Sequence, residues 1–169
     1  MTGDYRAVAS LLDREGVECI LIGGWAAAVH GSLRSTVDID FVYSRSDANL
    51  KRLAAALAPH EPRLRGAPPG LPFRFDEATI RAGLNFTLTT DLGDVDFLGD
   101  VSGGGRYEDL LPYTEEVAVF GTRLRCVTLE RLIQLKRAAG RPKDLEALAE
   151  LTALLEERRA MEAEAGEGG

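Results

Sequence analysis

Apolar residues recur along this chain with two different periods, and the switches between them mark out its elements. Over residues 4–15, Val8, Leu11 and Leu12 share one face of a 3.6-residue period and Gly16 follows, which predicts an amphipathic helix. "VECILIG" is a short β-branched apolar run and reads as a buried strand. "GWAAAVHG" reads as a short helix bracketed by glycines. "VDIDFVY" is a second strand, strictly alternating up to Val42, with Val37, Ile39 and Phe41 toward the core. "SDANLKRLAAALAP" predicts a helix with Ser46 as N-cap and Pro59 as its stop. Residues 59–72 hold five of the seven prolines and two glycines, the mark of a long loop of the kind that serves as a flap.

The second half continues the pattern. "NFTLTTD" and "DVDFLG" are strands joined by a hairpin turn at 91–93. "RYEDLLPY" is a short helix, and "EEVAVFGTRLRCV" a hairpin turning near Gly121. "TLERLIQLKRAAG" is a helix capped by Thr128, with Leu132 and Leu135 in its buried stripe and Lys136 at the margin. "RPKDLEALAELTALLEERRAME" is the last helix, with Pro142 in its first turn. This order predicts an α+β (α/β) fold, a small mixed β-sheet flanked by helices. Residues 1–158 read as a single domain. Residues 159–169 form an acidic Gly/Glu tail without apolar periodicity and are expected to be disordered.

Composition narrows the class. A chain of 169 residues, 45% apolar and 28% charged, can bury a core without disulfides or structural metal. No apolar run reaches the length of a membrane span, and the charged N-terminus has no signal-peptide core. Cys19 and Cys126 lie far apart inside apolar runs and are expected to be buried free thiols in a reducing compartment. The expected location is therefore the cytoplasm, with no membrane partner. The net charge of −7 argues against a broad nucleic-acid-coating surface, although three of those charges come from Glu156 onward. Arg63, Arg65, Arg74 and Arg81, near the Pro-rich loop, form a local basic cluster suited to a short RNA footprint.

The candidate chemistry lies in "GGWAAAVHGSLRSTVDIDF". Strand alternation puts Asp38 and Asp40 on one face, with carboxylates roughly 6–7 Å apart. Like charges so placed repel unless a cation comes to them, and hard oxygen ligands suit Mg²⁺ carrying substrate phosphates. "GDVDFLG" repeats the arrangement with Asp94 and Asp96, so a neighbouring strand would add a third carboxylate. Taken alone, an Asp-x-Asp is also what an edge strand with one solvated face looks like. Gly23 and Gly24 sit between a strand and a helix, where a backbone can approach a phosphate closely, or where the chain simply turns. Together the glycines and carboxylates make a coherent metal–triphosphate site.

This stretch resembles the active-site signature of the DNA polymerase β-like nucleotidyltransferase superfamily. Its "GG", "HG", Arg and "T-x-D-x-D" pattern is most like the AbiEii-type toxin nucleotidyltransferases and their uncharacterised relatives. It is also similar to some aminoglycoside and lincosamide nucleotidyltransferases. Residues 17–42 carry the resemblance, with "GDVDFL" and "LKRAAGRPKDLEAL" in support. It implies that Gly23 and Gly24 bind phosphate, that Asp38, Asp40 and Asp96 are catalytic and hold two Mg²⁺ ions, and that Asp96, set in "VDF", also serves the attacking hydroxyl. The implied reaction moves a nucleoside monophosphate from an NTP such as ATP to a hydroxyl and releases pyrophosphate. The acceptor would be the 3′ end of an RNA such as tRNA, a small hydroxylated molecule or a protein side chain, and an antitoxin would be the protein partner.

The remaining residues carry paired readings. Ser32 and Thr36 can bond a phosphate or cap the turn. Arg34 can neutralise phosphate through its planar fork or pair with a surface acid. Lys136 and Lys143 are candidate triphosphate contacts on what would otherwise be a solvated helix face. Asp144 suits the first turn of the last helix and could hold either lysine. His30 is expected to close the short helix, and Trp25 to pack. The functional alternatives are a small-molecule, aminoglycoside-type nucleotidyltransferase and a non-catalytic nucleotide- or partner-binding module on the same fold.

Overall fold

The computed structural model describes residues 3–119 and 121–167. Helix α1 (Tyr5–Arg14) is capped by the Asp4 carboxylate and ended by Gly16 in the left-handed conformation. Strand β1 (Cys19–Ile22) runs directly into helix α2 (Gly23–Val29), and β2 (Asp38–Tyr43) follows. Helix α3 (Asp47–Leu57) takes Ser46 as its N-cap. Strand β3 (Arg63–Leu64), helix α4 (Glu77–Ala82) and the hairpin of β4 (Asn85–Thr90) and β5 (Gly93–Leu98) come next. Helix α5 (Tyr107–Leu110), the hairpin of β6 (Thr114–Val119) and β7 (Thr122–Val127), and helices α6 (Leu129–Ala139) and α7 (Pro142–Glu167) complete the chain.

The seven strands form one mixed sheet in the order β3-β4-β5-β2-β1-β7-β6. Two pairings are parallel, β1 with β7 and β2 with β5, and the others antiparallel. Ile39, Phe41, Val95, Phe97, Phe86 and Leu88 turn to one face and are buried in a single cluster with Leu50 and Leu53 of α3 and Ile80 of α4. Phe97 stacks on Phe41 at 5.9 Å and on Phe75 at 6.2 Å, and Phe75 meets Phe86 edge-on. Both cysteines are buried and free, as their apolar settings predicted.

Four expectations need correction. Val37 is 82% exposed, because the β2–β5 ladder begins at Asp38 and no strand packs over the residue before it. The Pro-rich segment is not structureless. It contains a 3₁₀ turn at Ala58–His60 and the two-residue edge strand β3, paired to β4. Helix α4 was not foreseen; six residues show too little periodicity, although Asp76 caps it in the usual way. The acidic tail is helical rather than disordered as far as Glu167, since Glu, Ala, Met and Arg propagate a helix that the core has already nucleated. Residues 159–167 are exposed, and 168–169 lie outside the described residues.

One buried side chain ties the sheet to α3. Asn49 has no solvent exposure; its amide donates to the Glu18 carbonyl at 3.0 Å and the Ser44 carbonyl at 2.7 Å, and accepts from the Glu18 N–H at 2.7 Å. Those backbone groups lie just before β1 and just after β2, so Asn49 holds the two strand ends together. Asn49→Ala removes all three bonds, leaving the Glu18 N–H and the Ser44 carbonyl unpaired while the Glu18 carbonyl keeps the Ser44 N–H, and should cost about 2–4 kcal/mol in urea unfolding. A loss under about 1 kcal/mol would mean that water replaces the amide.

Candidate active site

Parallel pairing sets Asp38 beside Asp94 and Asp40 beside Asp96. All four acids leave the sheet on the face opposite Phe41 and Phe97. Asp38, Asp40 and Asp96 each offer a carboxylate oxygen, and these atoms lie within 4.8 Å of one another. Asp94 is drawn aside: it accepts from the Thr89 hydroxyl at 3.0 Å and faces Arg65 Nε at 3.4 Å. Three hard, partly buried oxygens at this spacing fit a divalent cation with coordination positions left over for substrate.

The acids form one wall of a cavity of about 560 Å³. Gly23 and Gly24 line it beside them, and Lys136, Arg141 and Lys143 line it from α6, α7 and the turn between. Burial pushes the Asp40 carboxyl up to about 8; the Asp38 charge, a hydrogen bond to Asp96 and the Asp96 charge add to the rise, and Lys136 opposes it. Asp144 is sealed from solvent at the start of α7. It accepts from Arg141 Nε at 2.6 Å and Nη2 at 3.2 Å, and from Lys136 Nζ at 3.4 Å. Burial works against its charge, but the Arg141 hydrogen bonds and the Arg141 and Lys136 charges outweigh it and hold the carboxyl below its ordinary value. Asp144 thus orients two cations on the cavity wall.

The two glycines are not equivalent. Gly23 has φ +71°, and a Cβ there would lie 2.1 Å from Asp40 Oδ2, so a side chain would displace a site carboxylate. A Cβ on Gly24 would meet Thr36 at 2.7 Å; its first obstacle is that side chain and not open phosphate space.

Ser32 lines the cavity but is engaged with Glu150 and with the Arg34 N–H, so it caps the turn. Thr36 donates to the Asp38 carbonyl at 3.0 Å. Arg34 lines the mouth and pairs with Glu146 at 3.3 Å. His30 is structural: Nε2 meets the Val127 carbonyl at 2.8 Å and Nδ1 meets Arg158 at 3.3 Å, joining α2, β7 and α7. Trp25 packs against Tyr5 with ring centroids 5.2 Å apart.

The sequence pattern places Arg65 only in a basic cluster and Arg141 only within the resembling segment "LKRAAGRPKDLEAL"; their contacts at the site, and that of Tyr5 beside it, come from the fold. Arg65 reaches Asp96 at 2.7 Å, Asp94 at 3.4 Å and Asp38 at 3.7 Å. Of the other arginines in the basic cluster, Arg81 pairs with Asp47 and Glu77, and Arg63 and Arg74 are exposed. The only sequence signal was the Arg-Leu-Arg alternation of a very short strand. Tyr5 donates its hydroxyl to the Val37 carbonyl, and burial, with the charges of Asp38 and Asp94 adding, raises its pKa.

Solved structures with this fold include nucleotidyltransferases. A candidate nucleotidyltransferase from Thermotoga maritima superposes with a TM-score of 0.55 at 18% identity, over 88% of this chain and 90% of its own. The lincosamide antibiotic adenylyltransferase LnuA, in its lincomycin-bound crystal structure, gives 0.59 at 14% identity, over 89% and 96%. At these identities the likeness is one of fold. The profile of the family described as nucleotidyl transferase AbiEii toxin, type IV toxin–antitoxin system, matches residues 8–161, and the chain belongs to this family of nucleotidyltransferases. No curated protein sequence matches it. No helix among the described residues is long and apolar enough to cross a membrane.

The raised Asp40 carboxyl has a consequence for stability. Its folded value lies above the ordinary 3.8, so the protonated form favours folding. That contribution is full below about 4, declines as pH rises toward about 8 and is gone above it. In EDTA, urea unfolding at pH 5, 7 and 9 should show stability falling across the series. Asp40→Asn, neutral at every pH, should flatten the profile and be the more stable protein at pH 9. An unchanged slope in the variant would remove Asp40 as the source.

Proposed function

We propose that this chain transfers a nucleoside monophosphate from an Mg²⁺–NTP to a hydroxyl acceptor, the 3′ end of an RNA such as tRNA, and releases pyrophosphate. It would act in the cytoplasm, with an antitoxin protein as its partner. The observation that carries the reading is the facing of two walls: Asp38, Asp40 and Asp96 on one side of the cavity, Lys136, Arg141 and Lys143 on the other. A polyphosphate with its divalent ions matches both, since it is anionic toward the cations and brings cations to the acids.

Asp38, Asp40 and Asp96 would hold the ions, two in number, and these when bound supply charge neutralisation and a lowered hydroxyl pKa. Lys136 and Arg141, oriented by Asp144, would take the triphosphate together with Lys143 and with Arg34 at the mouth. The backbone at Gly23 and Gly24, beside Ser32, would let the phosphates approach Asp40. The acceptor oxygen bonds to the α-phosphorus as the bond from that phosphorus to the leaving oxygen breaks. The hydroxyl proton passes to Asp96, and the cationic wall stabilises the departing pyrophosphate.

Incubation with each labelled NTP, Mg²⁺ and total RNA should label RNA. Label entering only an added lincosamide or aminoglycoside would instead favour the small-molecule reaction. Asp96→Asn should keep Mg²⁺–NTP affinity within a few-fold of the parent, while the transfer rate falls by about 10², a loss of roughly 3 kcal/mol of transition-state stabilisation. A nucleotide-binding module would show no transfer in the parent at all.

A further inference from the structure

We propose that Arg65 is a tethered cation: it closes the acceptor side of the carboxylate cluster in the resting enzyme and competes with divalent ions for Asp38 and Asp96. The proposal deepens the metal-dependent reading above and rests on it.

Three features distinguish this arginine from a permanent structural tie. Its contacts are divided among three aspartates on two strands, at 2.7, 3.4 and 3.7 Å, and none is a two-pronged pair with one carboxylate. Its Nε is shut off from solvent yet makes no hydrogen bond, so the guanidinium only partly satisfies the place it occupies. Its backbone belongs to the weakest part of the sheet. Strand β3 has two residues, its N–H to the Thr87 carbonyl adds one bond beyond them, and its Nη2 donates to the Leu88 carbonyl at 2.8 Å. Beyond it, Gly66 and Gly70 take left-handed conformations in a largely exposed segment. A short edge strand followed by such a segment opens at little cost compared with the core strands.

The contact also conflicts with turnover. Asp96 is the carboxylate that would receive the acceptor's proton, and its Oδ1 is already occupied by the guanidinium at 2.7 Å. Arg65 makes no contact with Asp40, the carboxylate beside the Gly23 turn. The resting arrangement therefore blocks the acceptor side and leaves the nucleotide side open. Loading the acceptor-side ion requires the guanidinium to withdraw, which the mobility expected of β3 permits. Arg65 is on this account a positioning residue whose influence appears first in ion binding.

The test is Mn²⁺ binding to the nucleotide-free protein, followed by electron paramagnetic resonance and calorimetry, for the parent, Arg65→Gln, Arg65→Met, Arg65→Lys and Asp40→Asn. Removal of the charge in Arg65→Gln, or in Arg65→Met if the amide fails to fold, should tighten Mn²⁺ binding about tenfold. Arg65→Lys, which keeps the charge, should stay within threefold of the parent. In EDTA the uncharged variants should melt below the parent, and Mn²⁺ should close the gap. If Asp40→Asn loses Mn²⁺ but the uncharged variants bind no tighter than the parent, the proposal is overturned and the metal site stands. If Asp40→Asn binds Mn²⁺ as the parent does, the metal reading itself fails and Arg65 has nothing to compete for.

Discussion

The parallel pairing of β2 with β5 is the constraint on which the rest of the site depends. It aligns two Asp-x-Asp segments residue for residue, so that four carboxylates leave one face of the sheet while Ile39, Phe41, Val95 and Phe97 leave the other. The acids repel one another and would not choose this arrangement. The apolar side enforces it: Phe41 and Phe97 stack in the same register, and a slip by one residue would carry aspartates into the core. Buried apolar area thus holds together a cluster of like charge, in which burial first, and the Asp38 and Asp96 charges after it, raise the Asp40 carboxyl.

The opposite wall follows the same logic with the sign reversed. Lys136 and Arg141 come from either side of the α6–α7 turn, and Asp144, sealed beneath them, pairs with both. A single buried acid that organises two cations is stable only while both stay in place. The cavity between the walls separates opposite charges that would collapse onto each other if the fold allowed it. Helix α2 begins at Gly23, directly against Asp40, and ends at His30, which joins it to β7 and α7. The two walls are complementary in charge to the proposed anionic ligand and the cations it brings. Membership of a nucleotidyltransferase family agrees with that electrostatic reading.

Much of this was legible along the chain because it depends on neighbours in sequence. Period-two alternation places Asp38 with Asp40, and Asp94 with Asp96, whatever the strands pair with. Ser46 and Thr128 cap helices through their own backbone N–H groups three residues on, and both do so in the structure. Pro142 opens the last helix as its ring requires, and Gly16 and Gly93 adopt the conformations their turns need. The glycine pair marked the right turn, although the contact that forbids a side chain at Gly23 comes from Asp40, seventeen positions away in "GGWAAAVHGSLRSTVDID".

What the sequence by itself determined was therefore local: the elements, their faces, their caps, and which acids share a face. Tertiary structure alone decided the rest. Sheet order put β5 beside β2, so Asp96 could join Asp38 and Asp40. Pairing of a two-residue edge strand brought Arg65 onto those acids, while Arg81 pairs with Asp47 and Glu77. The end of the β2 ladder left Val37 in solvent despite its place in the alternation. The physical reason is one of range. Side-chain direction and capping follow from backbone geometry within a few residues, but an ion pair or a burial depends on which distant segment arrives, and the packing of the whole core decides that.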